Sequence, residues 1–137
     1  MTWTADRQNL IDRARQFYVG HDDAVGALLI PGAEPCLIRS GDEGGPFGGT
    51  QRGGVPRLKG WAFTTGGQSQ KNIATHVEGH AAAIMWQRNI RDAVLLVDRP
   101  MCDICSRLLP TTLPPGSHLL VISRDEGETH VYASHGA

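Results

Sequence analysis

Residues 74–110 read ATHVEGHAAAIMWQRNIRDAVLLVDRPMCDICSRLLP, and this stretch decides what kind of fold the chain builds. A helical apolar pattern runs from about Ala74 to Asn89 and closes on Arg88 and Asn89, residue types common at helix C-termini. Ala93 to Val97 is a continuous apolar run with strand character, and Cys102 to Leu109 reads as a short helix stopped by Pro110. Helix, strand and helix in so short a span is the alternation of an α/β domain.

The flanks extend this pattern. Residues 4–19 predict a helix, with Leu10, Ile11, Ala14, Phe17 and Tyr18 on one apolar face, Thr4 as N-cap and Gly20 as stop. Ala24 to Ile30 and Cys36 to Ile38 are apolar runs separated by Pro31-Gly32-Ala33, a hairpin signature. Residues 40–54 are crowded with glycine, cannot build a core and predict a surface loop. Trp61 to Thr65 predicts a strand closed by Gly66-Gly67. Leu119 to Ile122 and His130 to Tyr132 are two further strands around a turn at Asp125-Glu126-Gly127, and so tight a connection makes them antiparallel. The expectation is one domain over residues 1–137: an α/β fold with a mixed central sheet of about five strands flanked by helices, the last two antiparallel.

The 137 residues, 40% hydrophobic and 20% charged, suit a single globular domain. No apolar run approaches the ~20 residues of a membrane span. The polar, acid-bearing N-terminus reads as neither signal peptide nor anchor, so the expectation is a cytoplasmic start or a fragment of something larger. A net charge of −1 lacks the basic excess of most nucleic-acid binders, leaving any such contact to a local patch. Three cysteines rule against a full disulfide framework; Cys36, between apolar residues, reads as a small buried hydrophobe.

The chemistry lies in two motifs, His76-Val77-Glu78 and Cys102-Asp103-Ile104-Cys105. Cysteines at i and i+3 at a helix start can grip one ion, although a strand leading into CxxC also describes a dithiol redox site. The histidine favours metal: a catalytic zinc takes three protein ligands and keeps one position open, and Cys₂His is one such set. That assigns His76, Cys102 and Cys105 as zinc ligands and Glu78 as the carboxylate that moves protons. Residues two apart in mid-helix face nearly opposite ways, each turning the chain by about 100°. His76 and Glu78 can therefore serve one site only if His76 sits at the helix start, before the chain is fully helical. A metalloprotease HExxH site would need glutamate directly after His76, where Val77 stands, so His80 is expected to pack or to support the ligands. Ile84, Met85 and Trp86 read as core. The pair of motifs matches the zinc-deaminase signature H-x-E with P-C-x-x-C, the proline here displaced by one residue to Pro100.

At these residues the chain resembles the DddA-like bacterial deaminase toxins of the cytidine-deaminase superfamily. The resemblance runs from Phe63-Thr64-Thr65-Gly66-Gly67 through His76-Val77-Glu78-Gly79 to Cys102-x-x-Cys105 and the C-terminal strands, roughly the second half of the chain. It implies a cytidine-deaminase-like fold, conversion of cytosine in DNA to uracil, and a cognate immunity protein as partner. It also implies a toxin domain secreted and delivered into the target-cell cytoplasm. Trp61, Phe63, Thr64, Thr65, Asn72, Val77 and Ile104 are the candidates for holding the base, and Arg52, Arg57, Lys59, Lys71 and Arg88 for meeting phosphate. The absent basic excess favours single-stranded over duplex DNA, and a monomer without membrane contact is expected. A deaminase of free cytidine, and a non-catalytic zinc or dithiol redox module, remain alternatives.

Overall fold

The computed structural model describes residues 3–20, 23–40, 76–125 and 127–134. The glycine-rich stretch and the strand expected at Trp61–Thr65 lie outside the described residues. Among the described residues, three helices and five strands follow in the order α1 (Ala5–Phe17), β1 (Val25–Leu29), β2 (Cys36–Arg39), α2 (Val77–Arg88), β3 (Asp92–Val97), α3 (Asp103–Thr112), β4 (His118–Ser123) and β5 (Gly127–Tyr132). The strands form one sheet in the order β2-β1-β3-β4-β5. Among the described strands only β3 and β4 run parallel, joined through α3; the other pairs, including the last, are antiparallel. This is the mixed five-stranded α/β sheet that the sequence predicts.

Each strand sends alternate residues to opposite faces, and the two faces carry separate cores. Leu28, Ile38, Leu95, Val97, Leu119, Val121 and Val131 pack with α2 and α3. Val25, Ala27, Leu96 and Ile122 pack with Ile11 and Ala14 of α1. Cys36 is buried in the first core, as its apolar neighbours predict.

The helix boundaries show where local rules held. Thr4 caps α1, its hydroxyl accepting from Arg7 N at 3.2 Å. Phe17, expected on the apolar face, is 69% exposed. Tyr18 turns inward instead, because its hydroxyl finds the Leu37 carbonyl at 2.8 Å and anchors the helix end to β2. Helix α2 starts at Val77, with His76 as an extended N-cap, and ends at Asn89 in the left-handed region (φ 55°). Pro110 does not stop α3, which continues to Thr112. The hydroxyls of Thr111 and Thr112 both donate to the Leu108 carbonyl, at 3.0 and 2.7 Å, and Leu113 N reaches Leu109 O at 2.9 Å. These bonds hold the last turn around the proline's missing N–H.

Gly26 fixes where α2 begins. A Cβ at this position would stand 2.6 Å from the Leu96 carbonyl oxygen and 2.7 Å from Val77 Cγ1. Only a bare backbone lets the first residue of α2 sit directly on β1. Gly26→Ala is expected to destabilise the protein by about 1–3 kcal/mol through overpacking, read as a lower urea midpoint at unchanged slope.

Candidate metal centre and active site

His76 and Cys102 are both extended N-caps, at φ −80° and ψ 157° and at φ −71° and ψ 161°. An N-cap is only half in the helix, so its side chain escapes the 100° progression of the turns that follow. That is the geometry the His-x-Glu spacing demanded. Cys102 is likewise just ahead of its helix rather than within it, and its sulfur accepts from Cys105 N at 3.4 Å. Cys105, a turn further on, is fully buried.

Helix α2 starts on β1 and α3 starts just beyond the C-terminal end of β3, the edge of an open α/β sheet where ligands commonly bind. His76 Nδ1 stands 3.2 Å from Cys105 Sγ and 3.6 Å from Cys102 Sγ. One donor atom from each of the three residues lies within 4.8 Å of the other two. With metal–sulfur bonds of ~2.3 Å and metal–nitrogen bonds of ~2.0–2.1 Å at tetrahedral angles, sulfur and nitrogen ligands stand roughly 3.6 Å apart. The donor set therefore fits one tetrahedral ion with three protein ligands. His80, the rival ligand, is buried within α2 and is no member of this group.

A cavity of about 150 Å³ opens beside the donors, lined by Ala24, Ser40, His76, Val77, Glu78, Val97, Arg99, Pro100 and Cys102. It is smaller than the ~300–1,000 Å³ of drug-sized ligand pockets, which suits a single heterocycle. Larger hollows of about 330 and 420 Å³ lie elsewhere on the molecule and bring no comparable donors together. Val77 lines the cavity, while Ile104 lies between the cysteines with its side chain outside the described part. Trp61, Phe63, Thr64, Thr65 and Asn72 lie outside the described residues, as do Arg52, Arg57, Lys59 and Lys71. Arg88, a phosphate candidate from sequence, sits at the opposite end of α2 against Cys36 Sγ at 3.5 Å, away from the cavity. Arg99 was missed. Its signal is a cation between the end of an apolar strand and a CxxC helix, where the chain must pass the site.

The electrostatics favour a cation. Burial raises the pKa of Glu78, 7% exposed, with its own backbone N–H opposing in part. The Cys105 thiol is pushed up by burial first, then by the Glu78 carboxylate and by Cys102. Burial lowers the pKa of His76, holding the imidazole in its neutral, ligating form. Three groups that become anionic on losing a proton thus crowd one neutral imidazole, and a divalent ion would offset their charge.

This arrangement sets a pH dependence for the metal-free protein. Unfolded, Cys105 ionises near its ordinary 9.0; folded, it keeps its proton to higher pH. Above about pH 9 the folded chain holds a proton that the unfolded chain has released, so stability falls as pH rises, by up to about 1.4 kcal/mol per pH unit for one group. Urea midpoints of chelator-treated protein are expected to drop between about pH 8 and pH 10. Cys105→Ser is expected to flatten that drop, and a thiophilic divalent ion to reverse it by taking the thiolate as ligand.

No helix among the described residues is long and apolar enough to cross a membrane. A comparison with curated proteins finds no match. The sequence profile of the SCP1.201-like deaminases does match, over residues 35–137, which takes in β2, all of α2 and α3, and every donor around the cavity. The match begins well ahead of the stretch from Phe63 onward that carried the resemblance in the sequence. Metal-binding geometry, mixed sheet and family profile agree, and the chain belongs to the SCP1.201-like deaminase family.

Proposed function

We propose that this protein is a zinc-dependent deaminase that converts cytosine to uracil in DNA, acting on single strands in preference to duplex. The observation that carries the proposal is the convergence of His76 Nδ1 and the two cysteine sulfurs beside a buried carboxylate in a cavity of about 150 Å³. A structural zinc site would call for a fourth protein ligand, and none joins the group among the described residues. A dithiol redox pair gives no role to a histidine nitrogen in contact with both sulfurs or to Glu78.

Zinc, when bound by His76, Cys102 and Cys105, supplies a Lewis acid that lowers the pKa of a water toward ~7. Glu78 carries the protons. Its carboxylate accepts one from the attacking water and returns it to N3 of cytosine as oxygen bonds to C4. It then relays the second proton to the exocyclic amine, the C4–N bond breaks, and ammonia leaves as the C4 carbonyl forms. A carboxyl whose pKa is raised by burial is suited to that work, because both of its protonation states become accessible nearer neutral pH. Val77 and Val97 give the cavity an apolar wall that excludes competing water.

The branch of the family is proposed on the resemblance to DddA-like toxins: an interbacterial toxin domain, monomeric, with a cognate immunity protein and without membrane contact. A second reading, deamination of free cytidine, is favoured by the tight antiparallel β4–β5 hairpin, which also suits nucleoside deaminases.

Purified protein and Glu78→Ala are to be incubated with single-stranded DNA, duplex DNA and free cytidine, scoring uracil or uridine. Uracil in single-stranded DNA is expected, with less in duplex. Glu78→Ala is expected to lose at least 10²-fold in turnover while keeping one zinc per chain, since its carboxylate is no ligand. Conversion of cytidine alone would move the protein to nucleoside chemistry, and activity retained in Glu78→Ala would overturn the assignment of the proton carrier.

A further inference from the structure

A second set of donors stands at the other end of the sheet from His76, Cys102 and Cys105. Successive residues of a strand point to opposite faces. His118 pairs with Tyr132, and Leu120 with His130, across the antiparallel β4–β5 ladder, so His118, His130 and Tyr132 share one face. The parallel β3–β4 ladder sets Asp92 opposite His118, and Glu128 stands two residues before His130 on the same face. Asp92 and His118 open their strands, whereas the cysteine helix follows the far end of β3. The length of that strand, roughly 17 Å, lies between the two groups.

His118 Nε2 and His130 Nδ1 face each other at 2.9 Å, with the ring planes 11° apart. Behind each ring lies a carboxylate. Asp92 Oδ1 is 3.5 Å from His118 Nδ1, and Glu128 Oε1 is 3.9 Å from His130 Nε2. Glu128 Oε2 is buried and accepts no hydrogen bond among the described residues, so its charge is poorly compensated. Each carboxylate favours a proton on the ring nitrogen that faces it. A neutral imidazole carries one N–H, so protons on both outer nitrogens leave two lone pairs confronting each other across the gap. Such a gap calls for a positive charge. Tyr132 lies over His118, ring centroids 4.5 Å apart, and steadies that ring.

We propose that His118 and His130 bind one divalent transition-metal ion of the nickel or copper class, at a site separate from the donors around the cavity. In the metal-free pair one proton spans the gap as a hydrogen bond between the rings. A metal ion takes its place. The proton moves from the inner nitrogen of its ring to the outer one, facing the carboxylate, and each ring turns its free lone pair onto the ion. The distance points to the metal: two nitrogens bound at ~2.0–2.1 Å and at right angles stand about 2.9 Å apart, against roughly 3.3 Å at a tetrahedral angle. Right-angled imidazole ligands suit tetragonal Cu²⁺ or Ni²⁺. A carboxylate on the outer nitrogen orients a ligating histidine and raises its basicity. Water fills the remaining positions, since exposed Asp92 and half-exposed His130 leave the site open to solvent.

The test reads the binding of Ni²⁺ alone, by titration calorimetry on protein preloaded with zinc. One Ni²⁺ per chain is expected, and about a hundredfold excess of Mg²⁺ should not displace it, because Mg²⁺ selects oxygen ligands. His118→Gln and His130→Gln are each expected to weaken binding by about 100-fold or more. Asp92→Asn removes no ligand, lies exposed, and is expected to weaken it roughly tenfold. Cys102→Ala dismantles the other donor set and is expected to bind Ni²⁺ as the wild type does. Because His130 is half exposed, His130→Gln is expected to keep its fold, checked by an unchanged urea midpoint. Wild-type Ni²⁺ affinity in both His118→Gln and His130→Gln would overturn the proposal. Loss of binding in Cys102→Ala alone, or displacement by Mg²⁺, would overturn it too, by putting the ion on the cysteines or on the carboxylates.

Discussion

The seat of α2 on β1 is the contact on which the rest of the site depends. Gly26 has no side chain, so the fully buried Val77 can lie directly on the strand between Gly26 and Val97. Once Val77 is pinned, its neighbours have little choice. His76, one residue back, stays extended at the rim of the cavity; Glu78, one residue on, is carried into the first turn and nearly buried. A single apolar anchor thus separates a candidate metal donor from a nearly buried carboxylate and holds both over one small cavity. A helix starting one residue earlier would turn His76 into its first turn and swing it away from Glu78 by about two 100° steps.

The second constraint is charge. A buried carboxyl and a buried thiol are both held toward their neutral forms by the loss of water around them. Together with Cys102 they form a site that is poor in compensation until a cation enters. What looks like an unfavourable cluster in the bare fold would suit a divalent ion, because each cysteine proton given up would become a ligand bond and the Glu78 carboxylate would gain a positive neighbour.

Asp98 ties this edge of the molecule together. It sits just past β3, accepts from the start of β1 and from Arg15 of α1, and offers its carbonyl to Arg124 beyond β4. Three elements remote in sequence are thereby clipped to the segment that leads into the cysteine helix. At the other end of α2, Trp86 Nε1 donates to the Thr112 carbonyl at 2.6 Å and fastens the two helices that start at His76 and Cys102 to each other. The arrangement of the His76, Cys102 and Cys105 donors is therefore held from both ends, by an ionic clip near the site and a hydrogen bond far from it.

Much of this was legible in the linear chain. The apolar runs marked β1, β2, β3 and β4 because a strand buried on both faces has no reason to alternate. The two-residue spacing of His76 and Glu78 implied an N-cap histidine, since helical geometry allows no other shared site. Donor chemistry and motif spacing singled out His76, Cys102 and Cys105, and the fold brings a donor atom from each of them together. Other features were decided only in three dimensions. Pro110 continues its helix because Thr111 and Thr112 find the Leu108 carbonyl, and Phe17 is exposed because Tyr18 finds β2. Asp98 and Arg124 lie 26 positions apart in the chain, and Arg124 Nη2 reaches the Asp98 carbonyl because β3 and β4 are parallel and in register. Local rules determined which residues could do chemistry and how each helix begins. How the strand ends beside that chemistry are tied together was settled by the pairing of strands, a long-range contact that no short window of sequence contains.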